Sequence, residues 1–190
     1  MLQKKDKRGI FLFKESIFKI AELIFNYPNK EFHLRELAVQ TGFSTTAITS
    51  GIKELEKFQI VRTEKTRLTT NIKANLESHA YVFYKRIFNL YRIERYMLLD
   101  NLKNLFNPET IVLFGSFSRG EDIEESDIDL LVITKHKADN DEIDGLKLDY
   151  EKDLCRKIDL HILPSIEKSL PEFKNAVANG VILHGYLKVV

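Results

Sequence analysis

Residues 111–134 read IVLFGSFSRGEDIEESDIDLLVIT, and the fold of the C-terminal half turns on this stretch. The apolar run at residues 111–114 predicts a buried strand that ends in Gly115-Ser116. A second apolar run carries Asp127 and Asp129, separated by one isoleucine. Side chains alternate across a strand, so the two acids share a face with Cα atoms roughly 7 Å apart. That spacing lets two carboxylates converge on a pair of divalent cations, which in two-metal phosphoryl-transfer sites sit about 4 Å apart. Ile128, Leu130 and Val132 then point into a core.

Gly115 lets the backbone turn sharply and approach a ligand. Ser116 adds a hydroxyl donor where free amides at the start of a short helix would face a triphosphate, and Arg119, one turn on, adds a phosphate contact. The sequence holds no GxxxxGK, which excludes a Walker-type loop, so metal must be held by carboxylates, and hard oxygen ligands suit Mg²⁺. The pattern is apolar-Gly-Ser, ten residues, Asp-apolar-Asp-apolar, set in Gly115-Ser116-Phe117-Ser118-Arg119-Gly120 and Ser126-Asp127-Ile128-Asp129-Leu130-Leu131-Val132. It resembles the signature of the DNA polymerase beta-like nucleotidyltransferase superfamily, particularly its small members called minimal nucleotidyltransferases.

The resemblance implies a third carboxylate on an adjacent strand, and KIDLHIL at residues 157–163 supplies Asp159. Ile158, Leu160 and Ile162 make a buried face there, which leaves Asp159 and His161 together on the other. By the resemblance, Asp127 and Asp129 bind two Mg²⁺ ions, and Asp159 completes one metal site and helps deprotonate an attacking hydroxyl. All three are then catalytic and metal-binding, while Gly115, Ser116 and Arg119 hold the nucleotide. The implied reaction is in-line attack on the α-phosphate of ATP or another nucleoside triphosphate, releasing pyrophosphate. Structural alternatives stand beside this. Asp127 can cap a turn, Asp159 can pair with Arg156 or Lys157 at a sheet edge, and His161 reads as a structural neighbour. The run Glu121, Asp122, Glu124, Glu125 reads as a solvated loop. Arg156 and His161 also match the Arg-x4-His spacing of HEPN ribonucleases, but on a strand rather than the helix that motif needs.

Beyond Asp129 the pattern predicts a polar loop at 135–141, a helix to about Cys155, the Asp159 strand, a helix at about 171–178 and a closing strand at 180–186. Strands alternating with helices indicate a mixed sheet covered by helices. About 85 residues leave no room for a separate nucleobase-binding domain.

Charge divides the chain. Residues 1–100 hold 18 Lys and Arg against 11 Asp and Glu, and the remaining 90 hold 11 against 17. A basic half followed by an acidic half suggests two jobs. The single cysteine, Cys155, excludes a disulfide framework and a Cys-rich zinc site and fits a reducing cytoplasm. The apolar part of MLQKKDKRGIFLF is too short for a signal-peptide core or membrane span, so a soluble cytoplasmic protein without membrane association is expected.

In the basic half, Ile17, Ile20, Ala21 and Ile24 recur at helical spacing until Pro28. A second helix buries Leu34, Leu37 and Ala38 and ends at Gly42. Ser44 or Thr45 caps a third, with Ile48, Ile52 and Leu55 inward. Alternation at 60–63, a polar turn at 64–67 and a second run at 68–74 predict a hairpin. This order resembles a winged helix-turn-helix DNA-binding domain over residues 11–76. The resemblance implies that the third helix enters the major groove of duplex DNA with Thr45, Thr46, Thr49, Ser50, Lys53 and Lys57 outward, and that Lys65 and Arg67 at the wing tip reach phosphate or the minor groove. An aromatic-rich helical stretch follows without Gly or Pro from Ser78 to Phe106. Its part within 77–94 is expected to be a connector or a homodimer contact, and residues 95–190 form the nucleotidyltransferase domain.

The expected fold is α+β, a winged helix-turn-helix followed by a small mixed-sheet α/β domain. The expected function is Mg²⁺-dependent transfer of a nucleoside monophosphate, AMP from ATP, to a hydroxyl acceptor. By resemblance to family members that adenylylate toxin partners, that acceptor can be a protein; an RNA end or a small molecule are the others. The competing reading is a DNA-binding regulator whose second domain only senses nucleotide or binds a partner protein.

Overall fold

The computed structural model describes residues 14–65 and 69–188, which fall into two compact units divided after Tyr81. Among the described residues no helix is long and apolar enough to cross a membrane.

The first unit is built from α1 (Glu15–Asn26), β1 (Phe32–His33), α2 (Leu34–Thr41), α3 (Thr45–Lys57), β2 (Val61–Lys65) and β3 (Thr70–Ala74). Ile20, Ile24, Leu37, Ile48 and Leu55 are wholly buried, which is why these helices take the faces their 3.6-residue spacing predicts. Gly42 closes α2 at φ 76°, in the left-handed region a Cβ disfavours. Ser44 caps α3, its Oγ accepting from the Ala47 amide at 3.3 Å. Beyond the predicted hairpin, Phe32 pairs with Ile72, so β1 adds an edge to give the antiparallel order β1-β3-β2. Two residues are too few for a periodicity signal.

The stretch from Ser78 to Phe106 is two helices rather than one. α4 (His79–Arg95) ends before Tyr96, Met97 turns left-handed at φ 59°, and α5 (Leu98–Phe106) follows. The break aims Leu98, Leu102 and Phe106 into the core of the second unit, all three wholly buried. That packing offsets the strain of a non-glycine residue at positive φ.

The second unit continues with β4 (Thr110–Phe114), α6 (Gly115–Arg119), β5 (Ile128–Ile133), α7 (Asn140–Leu154), β6 (Ile158–Leu163), α8 (Pro171–Ala178) and β7 (Val181–Gly185). The sheet order is β6-β5-β4-β7, with β5 and β6 parallel and the other neighbours antiparallel. One face (Ile111, Leu113, Ile128, Leu130, Val132, Ile158) packs with α5 and with Leu154 of α7. The other (Val112, Phe114, Leu131, Ile133) lies under Ile166 and Val177. Each wholly buried aliphatic side chain contributes about 1.5–3 kcal/mol, enough in sum for the sheet to carry like charges at one end.

Asp122 departs from the solvated loop its neighbours predict. It is 2% exposed, and Asn89 Nδ2 donates to its Oδ1 at 2.7 Å. Lys85 Nζ and Arg156 Nη2 lie 3.4 and 3.3 Å from its Oδ2, and Lys85 also donates to the Asp122 carbonyl. An acid this deep is tolerated because cations and an amide surround it.

Candidate active site

β4 runs into α6 through Gly115, whose φ of 71° turns the chain out of the sheet. Phe114 pairs with Asp129 on one side, and the parallel register sets Asp129 beside Asp159 on the other. Cross-strand partners share a face, so both acids stand where β4 ends and β5 and β6 begin. A Cβ on Gly115 would lie 2.0 Å from Asp129 Oδ2. The carboxylate therefore occupies the space that any other side chain at position 115 would need. His161 follows on the same face of β6, its Nε2 3.3 Å from Asp159 Oδ2 and its ring packed against Phe114 and Phe173 at centroid distances of 5.4 and 5.1 Å, with those two rings also in contact at 5.5 Å.

Ligand atoms of Asp129, Asp159 and His161 all lie within 4.8 Å of one another, the only such group among the described residues. Asp127 stands outside it. It is exposed, one residue before β5, and lines a cavity of about 410 Å³ with Ser126, Glu151 and Lys157. Asp127 is still close enough to act on Asp129. Burial pushes the Asp129 carboxyl above the usual carboxylate range, the Asp159 charge and, more weakly, the Asp127 charge push the same way, and His161 and Arg119 oppose them. Carboxylates crowded in this way suit hard divalent cations: they supply oxygen donors, and a bound cation relieves their repulsion.

Ser116 is half-buried at the start of α6, and its carbonyl accepts from Glu121 N at 3.0 Å. Arg119 is exposed and its Nε lies 2.7 Å from Glu121 Oε2, an exposed pair that little energy holds closed. Arg156, one alternative partner for Asp159, pairs with Asp122 instead. In the first unit, Thr45, Thr46, Ser50, Lys53 and Lys57 are exposed along α3, and Thr49 is half-buried with its hydroxyl donating to Thr45 O at 2.8 Å. Lys57 pairs with Glu54 at 3.2 Å, and Lys65 is exposed at the end of β2. Arg67 lies outside the described residues.

Two features escape the sequence reading. His161 joins the acids, although the alternation of β6 already places it on the face of Asp159. The Asp122 knot has no local signal, because its partners are 33 to 37 residues away.

A family model described as "Polymerase beta, Nucleotidyltransferase" matches residues 97–186. That segment is a nucleotidyltransferase domain of this type, and the protein is a nucleotidyltransferase. No curated protein matches the chain. Among solved structures, a toxin-antitoxin complex with AMP-PNP is 26% identical over 46% of this chain and 71% of its own, with a TM-score of 0.36. A tri-AMPylated Shewanella oneidensis HEPN toxin in complex with MNT antitoxin is 24% identical over 53% and 73%, with a TM-score of 0.36.

Proposed function

We propose that the second unit transfers AMP from ATP to a hydroxyl acceptor with Mg²⁺, and that the first unit is a winged helix-turn-helix that binds duplex DNA. The observation that carries the catalytic reading is the side-by-side placement of Asp129 and Asp159 over the Gly115 turn. Asp127, Asp129 and Asp159 are the carboxylates that would hold two Mg²⁺ ions. Bound there, the ions would supply charge neutralisation at the phosphates and lower the pKa of the acceptor hydroxyl. Asp159, the more exposed of the two paired acids, accepts that hydroxyl's proton. Gly115 leaves room for the Asp129 carboxylate over the turn, Ser116 donates to the triphosphate, and Arg119 leaves Glu121 to bind phosphate. The acceptor oxygen bonds to the α-phosphorus as the bond to the bridging oxygen breaks, and pyrophosphate departs. A protein hydroxyl on a partner fits this chemistry, since no further nucleic-acid-holding domain is needed for it.

Labelled ATP, Mg²⁺ and a cell extract, incubated with the wild-type chain or with Asp129→Asn, test the reading. A product labelled on its α-phosphate by wild type alone is expected. No labelled product together with no ATP affinity by calorimetry would overturn it. Nucleotide affinity that alters DNA binding without covalent product would instead assign a nucleotide-sensing regulator.

The DNA reading is supported by the surplus of Lys and Arg in the first hundred residues and by the exposed hydroxyl and lysine side chains along α3. Duplex affinity of the full chain is expected to fall as salt rises, and Lys53→Ala is expected to reduce the salt slope by about 1. Affinity indifferent to salt rules out phosphate tracking.

A further inference from the structure

The nitrogen beside the acids is the feature that the three-carboxylate reading does not use. His161 is not a loosely held surface residue. Two aromatic rings pack against its imidazole, one from the end of β4 and one from α8, and Nε2 is the atom that faces Asp159. Asp129 sits between the two strands that bring Phe114 and Asp159 to it, so its own position is fixed by the sheet. Donors each about 2 Å from one ion are at most roughly 4 Å apart. A spread of 4.8 Å therefore needs only small side-chain adjustments to close on a single cation.

We propose that His161 Nε2 is a metal ligand, completing with Asp129 and Asp159 a one-nitrogen, two-oxygen site that accepts the Mg²⁺ of the proposed reaction but binds a transition-series divalent cation such as Mn²⁺ more tightly. The inference deepens the proposed active site and rests on it. Mg²⁺ is a hard ion that keeps its waters and takes carboxylate oxygens. Imidazole best suits Zn, Cu, Fe and Ni, and Mn²⁺, the weakest binder of the first-row series and otherwise at home among carboxylates, still takes one nitrogen donor more readily than Mg²⁺ does. The ring packing against Phe114 and Phe173 lowers the entropy cost of ordering the ligand. Asp127, outside the trio, remains to hold a second ion shared through Asp129.

The test uses the full chain with Mn²⁺ and a non-hydrolysable ATP analogue. Pulsed EPR on protein labelled with ¹⁵N-histidine reads whether an imidazole nitrogen is bound directly to Mn²⁺, without any substitution, and a direct coupling is expected. In parallel, His161→Gln is expected to raise the Mn²⁺ Kd by about tenfold or more while the Mg²⁺ Kd, measured by competition, moves much less. Bound Mn²⁺ without histidine coupling, or Mn²⁺ and Mg²⁺ constants that shift together, overturns the proposal and leaves the carboxylate site standing. Mn²⁺ binding that survives Asp129→Asn unchanged overturns the carboxylate site as well.

Discussion

Asp122 and Asp129 stand seven residues apart in the same chain segment, and their surroundings are opposite. Asp122 is sealed from water among Lys85, Asn89 and Arg156, with both carboxylate oxygens engaged. Asp129 is half-buried and faces Asp159 and Asp127, with His161 and Arg119 as the opposing charges. The first arrangement is complete, and folding alone explains it. The second holds like charges together at a cost to the fold, a repulsion that a divalent cation bound among them would relieve. Asp122 thus stabilises the loop that leads to Asp127, whereas Asp129 is carried by the rest of the sheet.

Substitution should separate the two acids sharply. Asp129→Asn is expected to lower nucleotidyl transfer about a thousandfold or more, equivalent to roughly 4 kcal/mol of transition-state stabilisation. Its denaturation midpoint should hold or rise, because one repelling charge has gone. The linkage sign agrees: a carboxyl whose folded pKa is raised binds its proton more tightly in the folded state. Its contribution to stability therefore falls as pH rises through the carboxylate range, and Asp129→Asn should remove that fall. Asp122→Ala should do the reverse, costing about 3 kcal/mol or more in urea denaturation by leaving Lys85 and Arg156 buried without this carboxylate. Loss of stability in Asp129→Asn and none in Asp122→Ala would break the contrast.

The contrast also explains which parts could be read from sequence. Apolar runs around Asp127, Asp129 and Asp159 made an acid on a strand conspicuous, and local alternation placed each side chain on its face. Asp122 carried the opposite signal, since Glu121, Glu124 and Glu125 around it look like solvent-facing loop. What buries it comes from α4 and from the residues before β6, and no local pattern encodes a contact across that separation. The division of the aromatic stretch at residue 95 falls beside the turn at Met97, but the left-handed turn itself contains neither Gly nor Pro to announce it and goes with the burial of Leu98, Leu102 and Phe106. His161 was visible on the right face of β6. Its partners, Phe114 and Phe173, were supplied by tertiary structure.

The smallest expected effect probes the complete side of the comparison through pH. Burial pushes the Lys85 ammonium down to about 8 from its ordinary 10.5; the nearby Asp122 charge opposes that shift and the Arg156 charge adds to it. Below pH 8 the lysine is charged whether the chain is folded or not, and the whole cost of burying that charge weighs on the fold. Between about pH 8 and 10.5 the folded chain releases the proton while the unfolded chain keeps it, so this group makes stability rise with pH. The slope cannot exceed about 1.4 kcal/mol per pH unit. Other lysines and tyrosines titrate at the upper end of the window, so the quantity to measure is the difference between wild type and Lys85→Met in urea denaturation from pH 7 to 9.5. Wild type should gain on the variant above pH 8. Parallel profiles would mean that Lys85 keeps its proton throughout, held by Asp122 more firmly than burial expels it, and the knot would then be an ion pair at every accessible pH.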